Sequence, residues 1–352
     1  MWEILMRSMD TIFLEHQSIP TLMSGSLQQL GRYHGKQELL FQRKPELLKS
    51  LKTQAIIQSV ESSNRIEGIV VPEKRLKEVL SNRDKPKNRS EEEVVGYRNV
   101  LADIQANYQH IEITPEQICK MHKNMFGLTS RPQGVWKTKD NSIEERLTDG
   151  RWITRFSPVA ARETPHYMAE LCKRFNQLWN EQRIDPLFVS LAFVFDFLCI
   201  HPFLDGNGRL SRLLTVLLLY KMEYEIPRFI SFERLIEETK EFYYHVLKEA
   251  SLGWHESKHS LGSWFGYHVT LLLKSYRELE EKAGGSVSEK GEKTARILQA
   301  IENLPIEFGV GDLIPLCIGI SRPMIRVVLE TLRREGKLIM TGSTRSAKWR
   351  KV

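Results

Sequence analysis

With 352 residues the chain is longer than one typical domain, and a 41% hydrophobic share supplies cores for two or three. Charged residues make up 27%, and the central apolar run Leu187–Ile200 is 14 residues long and contains Asp196, short of the roughly 20 residues a membrane span needs, so no membrane is expected. The net charge of +7 is concentrated at one end: residues 331–352 carry seven Lys or Arg against one Glu, which excludes a generally basic protein and points to a local polyanion contact.

Met1–Asp10 contains Glu3 and no cleavage-like small-residue site after an apolar core, so it does not read as a secretion signal. Cys119, Cys172, Cys199 and Cys317 are far apart and form no Cys-x-x-Cys pair, which reads as reduced thiols in a cytoplasmic protein rather than a disulfide framework or zinc site. Residues 1–50, interrupted by Pro20, Gly25 and Pro45, read as an irregular arm. From Leu47 to Glu67 the apolar positions Leu48, Leu51, Ala55, Ile56 and Val60 recur at helical spacing, and Gly68 and Pro72 stop the helix. It ends on Ser63-Asn-Arg-Ile-Glu67-Gly68, where a carboxylate opposes the helix dipole and gains from a cationic partner. Residues 82–92 are a charged loop, after which Ser90 and Glu93 form a capping box for a helix through Tyr97, Val100 and Ile104. Thr114-Pro115 opens the next helix, on whose apolar side His122 reads as a packed core histidine. Gly134–Pro158 carries β-formers and an Asp149-Gly150 turn, a hairpin signal. Residues 161–182 are an amphipathic helix, with Met168, Leu171, Phe175 and Leu178 facing in, and Leu187–Ile200 is apolar nearly all round, a helix buried in a bundle where Asp196 needs a polar partner.

Polarity then switches abruptly at His201-Pro-Phe-Leu-Asp-Gly-Asn-Gly-Arg-Leu-Ser-Arg212, before a second apolar run, Leu213–Tyr220. One helix ends, a tight loop follows, and another helix begins at about Gly208, so the loop lies at a helix N-terminus that favours an anion. Gly206 and Gly208 allow close backbone approach, and Arg209 and Arg212, three apart, face one ligand together. Asp205 is a hard oxygen donor suited to Mg²⁺, and His201 can move a proton near neutral pH. This is the composition of a nucleotide-phosphate site.

The stretch resembles the Fic family signature, His-x-Phe-x-(Asp/Glu)-Gly-Asn-Gly-Arg-x-x-Arg, at every defined position. The resemblance implies a mainly α fold, a Fic-type helical bundle with a small β-hairpin flap, that moves AMP from ATP onto a hydroxyl side chain of a target protein. It implies His201 as the base, Asp205 as the Mg²⁺ ligand, Gly206, Asn207 and Gly208 as the anion hole, and Arg209 and Arg212 on the outer phosphates. Phe203 would fix the loop from the core. Ser63 to Gly68 resembles the family's inhibitory motif Ser/Thr-x-x-x-Glu-Gly/Asn, which implies that Glu67 pairs with Arg212 and holds ATP in an unreactive pose. Gly134-Val-Trp-Lys137 is similar to the start of the family's flap, with Lys137 where Arg is common, and places Lys139–Ile143 on the flap strand; Asn141 and Ser142 depart from the apolar residues often found there. Phe242–Ala250 resembles the family's Tyr-Tyr-x-x-Leu segment, which implies an adenine pocket lined by Tyr244 and Tyr243, with Ser251 where Asn is frequent.

The resulting division is an arm at 1–110 with the inhibitory helix at about 47–67, a catalytic core at 111–279, a flexible linker at 280–293 and a small module at 294–352. In the module Thr294–Asn303, Val310–Leu316 and Ser321–Glu335 read as helices, and Lys337–Met340 and Ala347–Val352 as strands, which together resemble a winged helix-turn-helix. Arg322, Arg326 and Arg345 would then contact DNA phosphates; protein contact is the alternative. The reading is a cytoplasmic, autoinhibited adenylyltransferase, a homodimer by family analogy alone. Two others stay open: a DNA-binding transcriptional regulator whose Fic core senses nucleotide, and a hydrolase that removes AMP through Glu67.

Overall fold

The computed structural model describes residues 7–17, 21–42, 45–81, 83–131, 133–146, 150–283, 294, 297, 298, 300, 301, 304, 306–314, 320–341 and 348–351, in two compact units, Met1–Leu279 and Glu280–Val352. Asp149, Cys317, Arg345 and the glycines of the 280–293 segment lie outside the described residues.

The first unit is built round helix α8 (Pro186–Ile200). Asp185 caps it by accepting from the Leu187 N–H at 2.8 Å, Pro186 fills the first position, and every residue from Val189 to Ile200 is buried. Burial on all sides is what a helix apolar all round requires. Helices α7 (Thr164–Glu181) and α9 (Asn207–Lys221) flank it, α5 (Arg89–Asn107) packs on α9, and α6 (Pro115–Phe126) packs on α5. The Thr114 hydroxyl caps α6 by accepting from the Gln117 N–H at 3.2 Å. Helix α3 (Pro45–Ile66) crosses α5, α9 and α10 (Phe232–Glu238), and α11 (Lys240–Ser251) and α12 (Gly262–Lys282) follow. Strands β1 (Ile143–Arg146) and β2 (Trp152–Phe156) form an antiparallel hairpin with a register shift between Ile143 and Glu144.

Several expectations are corrected. Residues 1–50 are not an irregular arm: α1 (Thr11–Glu15) is followed by the 22-residue α2 (Thr21–Gln42), which runs through Gly25, Gly31 and Gly35. Burial of Met23, Leu30 and Gln37 outweighs a glycine cost of about 1 kcal/mol each. Pro45 opens α3 instead of interrupting a helix, and Pro72 precedes α4 (Glu73–Leu80), which the charge-rich sequence concealed. The cap of α5 is Asn88, whose side chain accepts from the Glu91 N–H, and not Ser90; Glu93 is drawn into an ion pair instead of a capping box. Strand β1 runs from Ile143 to Arg146 and not over the expected Lys139–Ile143, because Asn141 spends its side chain on the neighbouring loop. Helix α12 runs to Lys282, so the start of the expected linker is helical.

In the second unit, helix Arg322–Arg334 lies beside an antiparallel sheet in the order β3 (Glu307–Gly309), β5 (Lys348–Lys351), β4 (Leu338–Thr341). Ile325, Leu329, Leu313, Phe308, Leu338 and Trp349 form its core with Ile297 and Ile301. Strand β3 was not legible in the sequence because three residues carry no period. No helix among the described residues is long and apolar enough to cross a membrane.

Candidate functional site

His201 ends α8 in the left-handed conformation (φ 51°), its N–H donating to Phe197 O at 2.9 Å, which turns the chain sharply into the loop. Its Nδ1 lies 3.3 Å from Leu198 O, and since a carbonyl only accepts, Nδ1 carries the proton and Nε2 is left basic. Burial lowers its pKa to about 4, so the imidazole is neutral at pH 7.

Asn207 closes the loop on itself. The Phe203 N–H donates to Asn207 Oδ1 at 3.0 Å and Asn207 Nδ2 donates to Phe203 O at 2.7 Å, while the Phe203 ring is fully buried. Gly206 sits at φ 85°, and a Cβ there would stand 2.6 Å from the Phe126 ring. Helix α9 begins at Asn207 with no side-chain cap, so its first-turn N–H groups face the loop. Three residues outside the motif hold this loop. His122 stacks on Phe203 at 3.8 Å between ring centroids; its Nδ1 accepts from the Gly134 N–H and its Nε2 donates to Asp205 O. It is packed, as the sequence suggested, but it also ties the motif to the hairpin approach. Lys137 is buried, with its N–H on Pro202 O and Nζ donating to Ile200 O at 3.1 Å and Asn141 Oδ1 at 2.8 Å. Burial lowers its pKa to about 8. Asn141 Nδ2 in turn donates to Phe203 O at 3.2 Å. The polar Asn141 that looked out of place on a flap strand is a fastener, a role without a periodic signal.

Asp205 Oδ1 accepts from the Gly206 N–H at 2.6 Å, and its Oδ2 meets the guanidinium of Arg131, a residue the sequence reading passed over. The Asp205 carboxylate is half-exposed and borders a cavity of about 480 Å³ lined by Arg131, Val135, Trp136, Thr138 and Leu204.

The two motif arginines are held by different partners. Arg209 is 1% exposed and donates through NH1 to Glu93 Oε2 at 2.6 Å and to Asn64 Oδ1 at 3.3 Å. A buried guanidinium without that carboxylate would cost several kcal/mol. Arg212 is held by Ser63 in the last turn of α3 and by Glu67, the residue that follows the helix. Its Nε donates to Ser63 Oγ at 2.8 Å, and NH2 donates to Ser63 O at 2.9 Å and to Glu67 Oε1 at 2.7 Å. Burial works against the charge on Glu67, but Arg212, with Arg209 and Lys240 further off, keeps its pKa lowered. The same Glu67 oxygen lies over Gly208, where a Cβ would stand 2.3 Å from it. Glu67 therefore occupies the entrance to α9 as an anion would.

Tyr243 is buried among Tyr244, Trp264 and Tyr267, whereas Tyr244 is partly exposed and close enough to Glu67 and Arg212 for their charges to act on its hydroxyl. Ser251 donates to Lys248 O within its own helix.

Residues 112–219 match the model of the Fic/DOC family. Over 208 residues the chain is 27% identical to protein adenylyltransferase fic-1 of Caenorhabditis elegans, a match that covers 57% of this chain and 33% of that protein. Against protein adenylyltransferase Fic of Drosophila erecta it is 28% identical over 214 residues, 58% of this chain and 39% of the relative. The chain thus spans little more than a third of the length of these relatives. Among solved structures, a Fic family protein from Desulfovibrio desulfuricans G20 superposes with a TM-score of 0.61 at 18% identity, covering 95% of this chain and 97% of that one. A Fic domain containing signaling protein from Bacteroides thetaiotaomicron gives 0.61 at 21% identity, over 73% of this chain and 97% of that one. These two likenesses concern the fold.

Proposed function

The chain carries a Fic domain, and from that premise we propose that it transfers AMP from ATP to a hydroxyl side chain of a target protein, releases pyrophosphate, and is restrained by Glu67. His201 Nε2 takes the proton of the attacking hydroxyl, the hydroxyl oxygen bonds to the α-phosphorus, and the bond to the bridging oxygen of the leaving pyrophosphate breaks. The α9 entrance formed by Gly206, Asn207 and Gly208 cradles phosphate oxygens through backbone N–H groups. Asp205 offers one half-exposed carboxylate beside that cradle, and among the described residues no group of three or more metal-ligating side chains gathers. One carboxylate next to phosphates suits Mg²⁺, which when bound supplies charge neutralisation at the phosphates. Tyr244 flanks the base; Tyr243, which the resemblance also assigns to adenine, supports it from the core. Arg212 binds the outermost phosphate once released; Arg209, which the resemblance also assigns to the outer phosphates, is instead spent in the core, holding the loop between Glu93 and Asp205.

The observation that carries the reading is the seizure of Arg212 by Ser63 and Glu67 at the place where an anion would sit. Full-length protein with α-labelled ATP and Mg²⁺ tests it: label should build up in Glu67→Gly and not in Glu67→Gly/His201→Ala. Absence of label from Glu67→Gly, with cell extract added as a source of target, would refute the transfer reading in favour of nucleotide sensing. Loss of label from a modified target through wild type but not Glu67→Gly would support AMP removal by Glu67.

We read the second unit as a winged helix. Its support is a three-stranded antiparallel sheet beside a helix that starts with Arg322 and carries Arg326, both exposed, as positioning contacts to phosphates need to be. Fluorescence polarisation with duplex DNA of mixed sequence checks this: binding should weaken steeply with salt, and Arg322→Gln/Arg326→Gln should flatten that dependence.

A further inference from the structure

The last turn of α3 is held from two sides, and only one of them is the Arg212 clamp. At its end Gly68 adopts φ 79°; the Gly68 N–H donates to Arg65 O and the Ile69 N–H to Asn64 O, so the terminal turn takes those two carbonyls for itself. The next carbonyl, of Ile66, accepts from Lys240 Nζ at 2.7 Å. Ile66 immediately precedes Glu67, so this bond lies one peptide from the carboxylate that pairs with Arg212.

Lys240 stands at the first position of α11, where a cation opposes that helix's own dipole. Its charge gains instead from the negative end of α3. The ammonium also lies 5.9 Å from the centroid of the Tyr244 ring, and it is one of the charges that lower the Glu67 pKa. A second cationic contact, Arg65 with Glu237 at 3.2 Å, joins the same turn to α10. The α10–α11 corner therefore fixes where α3 stops, and with it the height of Glu67 above Gly208 and Arg212.

We propose that Lys240 is the positioning residue of the restraint: it sets Glu67 on Arg212 by fixing the final carbonyl of α3, and its loss loosens the restraint although the glutamate remains. The inference rests on the reading that Glu67 restrains transfer. It also ties the restraint to Tyr244, on the helix that would meet the base.

Initial rates of AMP incorporation from α-labelled ATP, measured on full-length wild type, Lys240→Met, Lys240→Arg, Glu67→Gly and Lys240→Met/Glu67→Gly, test it. Loss of one charge-assisted hydrogen bond should raise the rate of Lys240→Met about ten- to a hundredfold, below the rise in Glu67→Gly. Lys240→Arg should keep most of the restraint, and Lys240→Met should add nothing once Glu67 is Gly. Without nucleotide, amide exchange over residues 63–69 should quicken in Lys240→Met, a readout independent of catalysis. A wild-type rate and exchange pattern in Lys240→Met beside an activated Glu67→Gly would overturn the role of Lys240 alone. A double variant much slower than Glu67→Gly would overturn it too, since Lys240 would then serve the nucleotide directly. An unactivated Glu67→Gly would refute the underlying restraint instead. Should Lys240→Met melt far below wild type, Lys240→Gln takes its place in each comparison.

Discussion

Asp196 offers a prediction whose size follows from the structure. It lies on α8 five residues before His201 and is fully buried. Its Oδ1 accepts from Ser8 Oγ at 2.6 Å and Trp254 Nε1 at 2.8 Å, while Oδ2 has no partner among the described residues. Burial raises its pKa to about 7 against an ordinary 3.8, with the two hydrogen bonds pulling the other way. The native state thus keeps a proton that the unfolded chain gives up near pH 4, so stability falls as pH rises from about 4 to about 7 and is flat above. About three units at about 1.4 kcal/mol each makes ~4 kcal/mol over the whole window, of which ~2–3 kcal/mol falls between pH 5 and pH 8. Asp196→Asn keeps an acceptor for Trp254 and carries no charge at any pH. Urea unfolding followed by tryptophan fluorescence should show the variant gaining ~2–3 kcal/mol on wild type from pH 5 to pH 8. Parallel stability curves would refute the reasoning, since they would mean that Asp196 titrates alike folded and unfolded.

Other outcomes follow from the site. Gly208→Ala should expel Glu67 from its place, because the new Cβ would lie 2.3 Å from Oε1 at the end of a flexible side chain. Glu67→Gln should then cost about 1–2 kcal/mol of stability on wild type and close to nothing on Gly208→Ala, measured by chemical unfolding as a double-mutant cycle. Arg131→Gln should tighten Mn²⁺ binding severalfold in the presence of a non-hydrolysable ATP analogue, read as free Mn²⁺ by electron paramagnetic resonance, because the guanidinium rests on the Asp205 carboxylate; equal affinity would show that the pair does not compete with the cation. In Glu67→Gly, the acid limb of kcat/KM for ATP should fall at or below about pH 4 and not near 6.5, since burial lowers the pKa of His201, the variant removes the Glu67 charge that raises it, and a base works only while neutral.

What the sequence by itself determined is local. The alternation of apolar runs with a polar, glycine-rich break from His201 to Arg212 placed a loop at a helix entrance, and the Thr114-Pro115 start follows from capping chemistry that any neighbourhood permits. Glu67 stood out because a carboxylate at a helix end lacks a local partner. The tertiary structure decided everything that depends on distant residues meeting. Glu93, 116 residues from Arg209, neutralises it in the core; Asn141 and His122 brace a loop far along the chain; and Lys240 reaches the end of a helix 174 residues earlier. The course of α2 through three glycines belongs to the same class, because local propensity opposes it and only burial of Met23, Leu30 and Gln37 against other elements reverses the balance. Periodicity and caps report forces within a few residues, whereas the partner of a buried charge is fixed by how the helices pack.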